Sequence, residues 1–233
     1  MKVGITLPQF RDEADSALDA ARRAEDLGID GVFCFDHLWP MGQPSRPVLS
    51  LTPLLGALVA STSTIAVGTL VARVGLLPDE MLVAALSSIS ALSDGRLIAG
   101  IGTGDHLSRA ENEAYGLPFE SADRRRARLA TVAAAVRGLG IPVWLGGGLP
   151  QNAELARSIG AAINLWEGAT SAVSQLAAAG IEVTWAGPIG ETAPEATDRL
   201  GQLSAAAATW AVCAWPDSIE MVAEAADRVR GAA

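Results

Sequence analysis

Residues 142–166 read PVWLGGGLPQNAELARSIGAAINLW. The stretch begins with a short apolar run, turns at three glycines, continues with a helical pattern over 150–159, and returns to a second apolar run at 161–166. Short apolar runs that alternate with helical segments are typical of parallel strands joined by crossover helices. Pro150 also favours a helix start, because proline is well tolerated in the first turn. The stretch therefore predicts one β–α–β unit.

The same alternation continues over the chain in both directions. Short apolar runs predict strands at 3–10, 31–38, 64–73, 96–104, 142–145, 161–166, 181–185 and 209–215. Helical spacing of apolar residues predicts helices at 12–27, 52–61, 79–92, 108–115, 121–137, 150–159, 169–179, 193–208 and 217–229.

Eight β–α units in 233 residues decide the fold class. They predict an α/β protein, a (β/α)8 TIM barrel of near-minimal size with shortened insertions. The strand at 209–215 would close against the strand at 3–10. An open doubly wound sheet is the alternative. The length leaves no room for a second domain, so residues 1–233 are predicted to form a single barrel domain.

Composition and charge restrict the partners. The net charge of −9 argues against nucleic acid and against an anionic membrane surface, since both need a basic face. The uncharged stretches are shorter than a membrane span, and the apolar run at the N-terminus is too short for a signal peptide. We therefore expect a cytoplasmic protein with a small-molecule substrate, without nucleic acid or membrane partners. The apolar helices would permit a homodimer.

Three residue types narrow the chemistry. Lys2 is the only lysine and stands before the first predicted strand, which excludes Schiff-base aldolase and pyridoxal-phosphate chemistry. Cys34 and Cys213 are far apart and fit no metal-ligand spacing, so reduced thiols are the simpler interpretation. Trp39 and Trp166 follow predicted strands and could form walls for a planar ligand, or pack in the core.

Both histidines follow predicted strands, at the end of a barrel where functional groups collect. Asp36 and His37 follow the second strand, and Asp105 and His106 follow the fourth. These pairs are candidate acid–base groups; alternatively, each histidine caps a helix or satisfies a backbone group. Because adjacent strand residues point to opposite faces, we predict that the strand breaks at Asp36 and lets both side chains reach the cavity. Spaced metal-ligand motifs are lacking, so no catalytic metal is expected.

Gly146, Gly147 and Gly148 follow the fifth predicted strand and precede a helix. Glycines let backbone N–H groups approach a phosphate, and a helix N-terminus favours negative charge. A tight turn, the alternative, would need one glycine rather than three. An isomerase barrel with its phosphate at 187–190 is a further alternative.

Short motifs stand in order along roughly the first 168 residues. They are Gly4-x-x-x-Pro8-Gln9, Ala24-Glu25-x-x-Gly28-x-Asp30, Val32-Phe33-x-x-Asp36-His37, Val67-Gly68-Thr69, Leu92-Ser93-Asp94-Gly95-Arg96, Gly100-x-Gly102-Thr103-Gly104 and Leu145-Gly146-Gly147. The ordered set resembles the bacterial luciferase-like family of flavin and deazaflavin oxidoreductases. Within it, Asp36-His37, Asp105 after Gly104, and Leu107 before a polar residue resemble most the branch that uses coenzyme F420.

This resemblance implies a cofactor and its contacts. The cofactor would be coenzyme F420, with FMN as the alternative. His37 and Asp105 would be the catalytic acid–base groups. The cofactor-binding residues would be Asp36 at the deazaflavin ring, Thr69, Leu70 and Val71 with a cis peptide bond between the last two, Ser108 where the branch often has an amide, and Gly146, Gly147 and Gly148 at the phosphate.

The chain also departs from the family pattern. Members usually carry a long segment before the fifth strand, which residues 136–140 replace here, and the lid after the seventh strand is absent or very short. Arg73 stands where smaller groups are usual. The resemblance implies an oxidoreductase that transfers a hydride between F420 or a flavin and a small organic substrate. The alternative is a reduced, non-catalytic relative that binds a cofactor or a partner without turnover.

Overall fold

The computed structural model describes residues 1–40, 42–148, 150–215 and 218–231. Eight parallel strands pair in chain order and close into a barrel, which confirms the predicted fold. The strands are β1 (Lys2–Thr6), β2 (Gly31–Cys34), β3 (Ala66–Arg73), β4 (Leu97–Gly102), β5 (Val143–Gly146), β6 (Ala162–Trp166), β7 (Val183–Gly187) and β8 (Trp210–Cys213).

Helices follow the strands, with two of them after β4. In the described part of the chain they are α1 (Asp15–Asp26), α2 (Leu51–Ser61), α3 (Asp79–Leu92), α4 (Ser108–Ala114), α5 (Ala122–Gly138), α6 (Pro150–Ile159), α7 (Thr170–Ala178), α8 (Ala193–Ala205) and α9 (Ile219–Gly231). Asp217, the predicted first residue of the last helix, lies outside the described residues. None of the described helices is long and apolar enough to span a bilayer.

The first two predicted strands run past the observed ones, which end at Thr6 and Cys34. Beyond them, the side chain of Gln9 replaces the strand ladder. Its amide nitrogen donates to the carbonyls of Phe35 at 2.8 Å and Leu49 at 2.7 Å, and its oxygen accepts from the Phe35 N–H at 2.7 Å. One buried side chain thus satisfies the backbone of these loops, whose apolar residues make them look like strand in the sequence.

Pairing of β1 with β8 closes the barrel, with Lys2 opposite Trp210 and Ile5 opposite Cys213. This confirms the predicted contact between the first and last strands and rules out the open sheet. Lys2 belongs to β1, and its ammonium lies 5.3 Å from the centre of the Trp210 ring. The lysine is therefore at the end of the barrel opposite to the C-termini of the strands.

Two apolar layers hold the fold together. The larger lies between strands and helices, and the smaller fills the barrel interior. In the interior, Phe33 stacks on Trp144 with 5.0 Å between ring centres and meets Trp210 edge-on at 5.8 Å. A Cβ added to Gly4 would lie 2.7 Å from the Phe33 ring, and one added to Gly68 would lie 2.5 Å from it. Glycines on β1 and β3 therefore leave the space that the large ring on β2 occupies.

Candidate active site

A cavity of about 620 Å3 opens at the mouth of the barrel, the end formed by the C-termini of the strands. The cavity is lined by Phe10, Phe35, His37, Leu70, Val71, Arg73, Gly104, Asp105, Ser108, Gly146, Gly147, Gly148, Asn164, Leu165, Trp166 and Gly168. All the predicted site residues belong to this lining except Asp36 and Thr69. The topology therefore brings most of the predicted site together from four strand ends, those of β2, β3, β4 and β5.

Asp36 and His37 both lie beyond β2, as predicted, but only His37 faces the cavity. The Asp36 carboxylate accepts a hydrogen bond from the backbone N–H of Arg73 at 2.8 Å, and Arg73 Nε donates to the Asp36 carbonyl at 2.7 Å. Burial raises the pKa of Asp36, against the lowering effects of that N–H and of the Arg73 charge. The Asp36 carboxylate thus ties the β2 loop to β3, and its contact with a deazaflavin ring stays a prediction.

A buried carboxylate, Glu111 on α4, joins His37 to Arg73. Its Oε1 lies 2.8 Å from His37 Nδ1, and its Oε2 accepts from Arg73 Nη2 at 2.5 Å. The side chains of Glu111 and Arg73 are 1% and 6% exposed, so water screens the pair weakly. Burial acts to raise the pKa of Glu111, but the hydrogen bond with His37 and the Arg73 charge outweigh it and lower the pKa. Glu111 is therefore ionised at neutral pH.

Sequence reasoning missed Glu111. The residue stands in a short helix of sequence SRAENEA, where charged side chains are usually solvated. The available signal was Arg73, a cation at the end of an apolar strand, since a buried arginine needs an acidic partner. That partner lies 38 residues further along the chain, a separation that no local pattern resolves.

Leu70 and Val71, near the end of β3, form one wall of the cavity. The peptide bond between them is cis, as the resemblance implied. The pairing of β3 with β4 shifts its register between Thr69 and Ala72. Val71 leans over β4, where a Cβ on Gly102 would overlap the Val71 Cγ2 atom. The glycine at this position of β4 is therefore required by the shape of the neighbouring strand.

Thr69 lies inside the barrel wall rather than in the cavity lining, and its contact with a cofactor stays a prediction. The residue is fully buried, and its hydroxyl donates to the Gly100 carbonyl at 2.6 Å. A Cβ on Gly100 would overlap the Thr69 carbonyl oxygen. Close packing of β4 on β3 thus explains the first two glycines of the run at 100–104.

A second wall of the cavity is aromatic. Phe10 stacks on Phe35 with 5.9 Å between ring centres, and Phe35 meets Trp166 edge-on at 5.9 Å. The His37 ring lies 6.3 Å from both phenylalanine rings. Trp166 is 47% exposed, so the wall presents apolar surface to anything that enters the mouth. Trp39 is buried and lies outside the lining.

The glycine loop, residues 146–148, forms the rim of the cavity at β5. Gly147 has a φ of +90°, and its N–H donates to the Asn164 carbonyl at 3.0 Å. Asn152 on α6 holds the loop from the other side, donating to the carbonyls of Gly146 at 2.9 Å and Gly147 at 3.2 Å. The Gly147 N–H is therefore already engaged, Gly148 is exposed at the rim, and the phosphate cradle at Gly146, Gly147 and Gly148 stays a prediction.

Asp105 and Ser108 form the turn that leads into α4. Asp105 Oδ1 accepts from the backbone N–H groups of Leu107 at 2.9 Å and Ser108 at 3.2 Å. Asp105 is exposed at the mouth, whereas Ser108 is buried beneath it. His106 is also exposed and lies outside the lining. Only one of the two predicted pairs therefore brings an imidazole to the cavity.

Known proteins share both sequence and fold with this chain. The family model described as luciferase-like monooxygenase matches residues 1–140. An F420-dependent glucose-6-phosphate dehydrogenase from Beutenbergia cavernae is 33% identical over 124 residues, which cover 53% of this chain and 35% of the relative. Its counterpart from Intrasporangium calvum is 33% identical over 123 residues, 52% of this chain and 37% of the relative. The matched stretch thus spans about a third of these curated relatives.

Solved structures extend the similarity of fold over nearly the whole chain. An F420-dependent secondary alcohol dehydrogenase, in complex with an F420–acetone adduct, superposes with a TM-score of 0.80 at 13% identity, covering 98% of this chain and 97% of the other. The F420-dependent tetrahydromethanopterin reductase of Methanopyrus kandleri gives a TM-score of 0.75 at 14% identity, covering 100% and 99%. At these identities the likeness concerns the fold alone. With its motifs, its barrel and a family model that matches more than half of its residues, the chain belongs to the luciferase-like monooxygenase family.

Proposed function

We propose that the protein is an oxidoreductase that transfers a hydride between coenzyme F420, or alternatively FMN, and a small organic substrate. The observation that carries the proposal is the shared cavity at the mouth, where His37, the Leu70–Val71 wall and the glycine loop meet. Membership of the family and the F420-dependent activity in the names of the curated relatives support it.

The residues of the cavity fit a flat, largely apolar ring with an anionic tail. Leu70, Val71 and Leu165 offer apolar contacts to the faces of such a ring. The exposed Gly148 allows a phosphate to approach the rim without meeting a side chain. When bound, F420 or a flavin supplies the atom that exchanges a hydride with the substrate.

His37 is the group that would handle the substrate proton. When a carbinol loses a hydride, its hydroxyl proton must pass to a base within hydrogen-bond reach. The His37 side chain lines the cavity and is 18% exposed, so a substrate can reach it while bulk water is largely excluded. Asp105, exposed at the mouth, would pass the proton on to solvent.

The charges of the cavity favour an uncharged substrate. Across the described lining, the ionisable side chains are His37, Arg73 and Asp105, and Arg73 is already paired with Glu111. A phosphate ester would therefore find no unpaired guanidinium or ammonium in this lining, and it would approach the carboxylate of Asp105. We propose a small neutral alcohol or ketone held against Phe10 and Phe35, rather than the sugar phosphate in the names of the relatives.

Short connections favour a second candidate, binding of the cofactor without turnover. Residues 188–192 alone connect β7 to α8, and residues 139–142 alone connect α5 to β5. The β7–α8 connection at the mouth is too short to cover the cavity, and Trp166 remains 47% exposed, whereas the α5–β5 connection lies at the opposite end of the barrel. A cavity that remains open to water would disfavour hydride transfer.

The two candidates are separated by binding and turnover measured together. F420 and FMN are titrated into the purified protein while tryptophan fluorescence is followed, and then neutral secondary alcohols, ketones and glucose 6-phosphate are added while the cofactor absorbance is recorded. We expect F420 to bind and its absorbance to change with a neutral substrate. Binding without any change supports the non-catalytic candidate, and failure of both cofactors to bind overturns both.

A matched pair of variants locates the cofactor in this cavity. Trp166→Ala removes an exposed aromatic side chain from the lining. If the cofactor ring stacks on this indole, the variant should bind the cofactor more weakly by about 1–3 kcal/mol. Trp215→Ala removes another exposed tryptophan, 39% accessible and outside the lining, and should leave binding unchanged.

A further inference from the structure

The buried carboxylate of Glu111 contacts both His37 and Arg73. We infer that the Arg73–Glu111 pair fixes the tautomer of His37, with the proton on Nδ1 and the lone pair of Nε2 directed to the cavity. The inference rests on the proposed function only for its kinetic consequence. Its structural basis is the hydrogen bond of 2.8 Å between His37 Nδ1 and Glu111 Oε1.

The charge of Glu111 decides which nitrogen of His37 carries the proton. An ionised carboxylate can only accept hydrogen bonds, so the imidazole nitrogen that faces Glu111 must be the donor. The lowered pKa of Glu111 keeps that carboxylate ionised at neutral pH. In the neutral imidazole, one nitrogen donates and the other accepts, so Nε2 is left as the acceptor. Within the described part of the chain, Nε2 has no hydrogen-bond partner, which leaves it available to a substrate hydroxyl.

Arg73 and the Leu38 backbone hold the other oxygen of the Glu111 carboxylate. Its Oε2 accepts hydrogen bonds from Arg73 Nη2 at 2.5 Å and from the Leu38 N–H at 3.4 Å. Both of these groups can only donate hydrogen bonds. Arg73 is itself fixed to the backbone and carboxylate of Asp36. The atom at the Oε2 position must therefore be a hydrogen-bond acceptor, which for a Glu or Gln side chain is an oxygen atom. Glu111 and Arg73 act through His37, and we classify them as positioning residues.

A substitution of one atom tests the inference. In Glu111→Gln, the amide oxygen must face the Arg73 guanidinium, so the amide NH2 group is left facing His37 Nδ1. Since NH2 is a donor, Nδ1 must become an acceptor, and the proton must move to Nε2. The variant keeps the shape of the side chain and is expected to invert the tautomer.

Nitrogen-15 NMR of the imidazole rings measures the tautomer directly. The chain has two histidines, so the spectrum contains two ring systems, and the exposed His106 serves as the internal reference. At a pH where the ring is neutral, we expect His37 to carry its proton on Nδ1 in the wild type and on Nε2 in Glu111→Gln. Glu113→Gln, two residues along the same helix and paired with Arg109 on the surface, should leave the His37 spectrum unchanged.

The NMR spectra test the tautomer of His37, and the kinetics test the proposed function separately. A wild-type proton on Nε2, or the same tautomer in wild type and Glu111→Gln, overturns the inference. If Glu111→Gln does not fold, the wild-type spectrum still decides it. With a neutral substrate in hand, kcat should fall at least tenfold in Glu111→Gln while KM and cofactor affinity are retained. An inverted tautomer with unchanged kcat supports the inference and contradicts the role of His37 in the proposed reaction.

Discussion

The guanidinium of Arg73 lies 2.5 Å from the carboxylate of Glu111, and both side chains are nearly inaccessible to water. This pair links the end of β3 to α4, two elements that the barrel strands alone would not hold together. Removing two charges from water is costly, and the cost is recovered only while both partners are present and hydrogen-bonded. The pair is therefore a point where a single substitution should have a large effect.

Arg73→Met should destabilise the protein strongly, because it leaves the Glu111 carboxylate buried without its cation. Loss of one partner of a buried pair costs about 3–5 kcal/mol. The double variant Arg73→Met/Glu111→Leu removes both charges and should recover most of that loss. Urea denaturation of the wild type, both single variants and the double variant measures the coupling.

A surface pair provides the control for this cycle. Arg109 and Glu113 on α4 lie 3.5 Å apart with more than half of each side chain exposed, so the same cycle there should give less than about 1 kcal/mol. Equal coupling energies for the two pairs would contradict the importance of burial at Arg73.

Much of the fold follows from the sequence because its signals are local. The alternation of short apolar runs and helices gave the eight units, and α3 and α6 have the predicted bounds. The ends of β1 and β2 were extended too far, since Gln9 satisfies the loop backbone across 26 and 40 residues of sequence. A side chain that replaces a strand ladder over such distances leaves no periodic pattern to detect.

In the site, too, some residues are indicated by local sequence and others depend on tertiary contacts. His37 and the glycine loop line the cavity, as expected of residues that follow strands whose ends meet at the mouth. Asp36 and Thr69 lie outside the cavity lining because the direction of a side chain near a strand end depends on the local backbone. Glu111 was missed because its role depends on a partner in another element. Sequence position therefore identifies which loops form the site, and tertiary contacts decide which of their side chains face it.

Gly102→Ala should destabilise the barrel through a steric clash. The new Cβ would overlap Cγ2 of Val71, and overpacking of this kind costs about 1–3 kcal/mol. Thermal denaturation should show a lower Tm, and the double variant Gly102→Ala/Val71→Ala should recover stability because it removes the clashing methyl group. Gly201→Ala in α8 is the control: nothing lies within 4 Å of its added Cβ, so it should be neutral or slightly stabilising. A Gly102→Ala protein as stable as Gly201→Ala would contradict this explanation.

Glu25 should make the free energy of unfolding depend on pH in the acid range. Burial acts to raise the pKa of Glu25, but hydrogen bonds from Thr64, Ile65 and Ser63 outweigh it and lower the pKa from 4.5 to about 2. The unfolded chain therefore takes up the proton first as the pH falls. The stabilisation of the folded protein by the ionised Glu25 carboxylate is complete above about pH 4.5 and is lost progressively as the pH falls towards 2.

Glu25→Gln should consequently be less stable than the wild type by about 1 kcal/mol at pH 7, since the carboxylate is partly screened by solvent. The difference should shrink as the pH falls from 4.5 towards 2. Chemical denaturation at several pH values measures it. Asp26→Asn removes the same charge from the neighbouring, exposed position and should change stability little at any pH. A Glu25→Gln penalty that stays constant with pH would show that the carboxylate charge is not its cause.

His37→Ala should separate binding from turnover. Removal of a general acid–base group typically slows a reaction 10²–10⁴-fold, so turnover of a neutral substrate should fall at least about a hundredfold. Cofactor affinity should be retained, because the apolar walls and the glycine loop remain intact. His106→Ala is the matched control, since it removes the other imidazole of the chain from an exposed position outside the cavity lining. Steady-state kinetics and a cofactor titration on both variants give the comparison. If His106→Ala loses as much activity as His37→Ala, or if Asp105→Asn alone abolishes turnover while His37→Ala does not, the base lies on the β4 loop and the assignment of His37 is wrong.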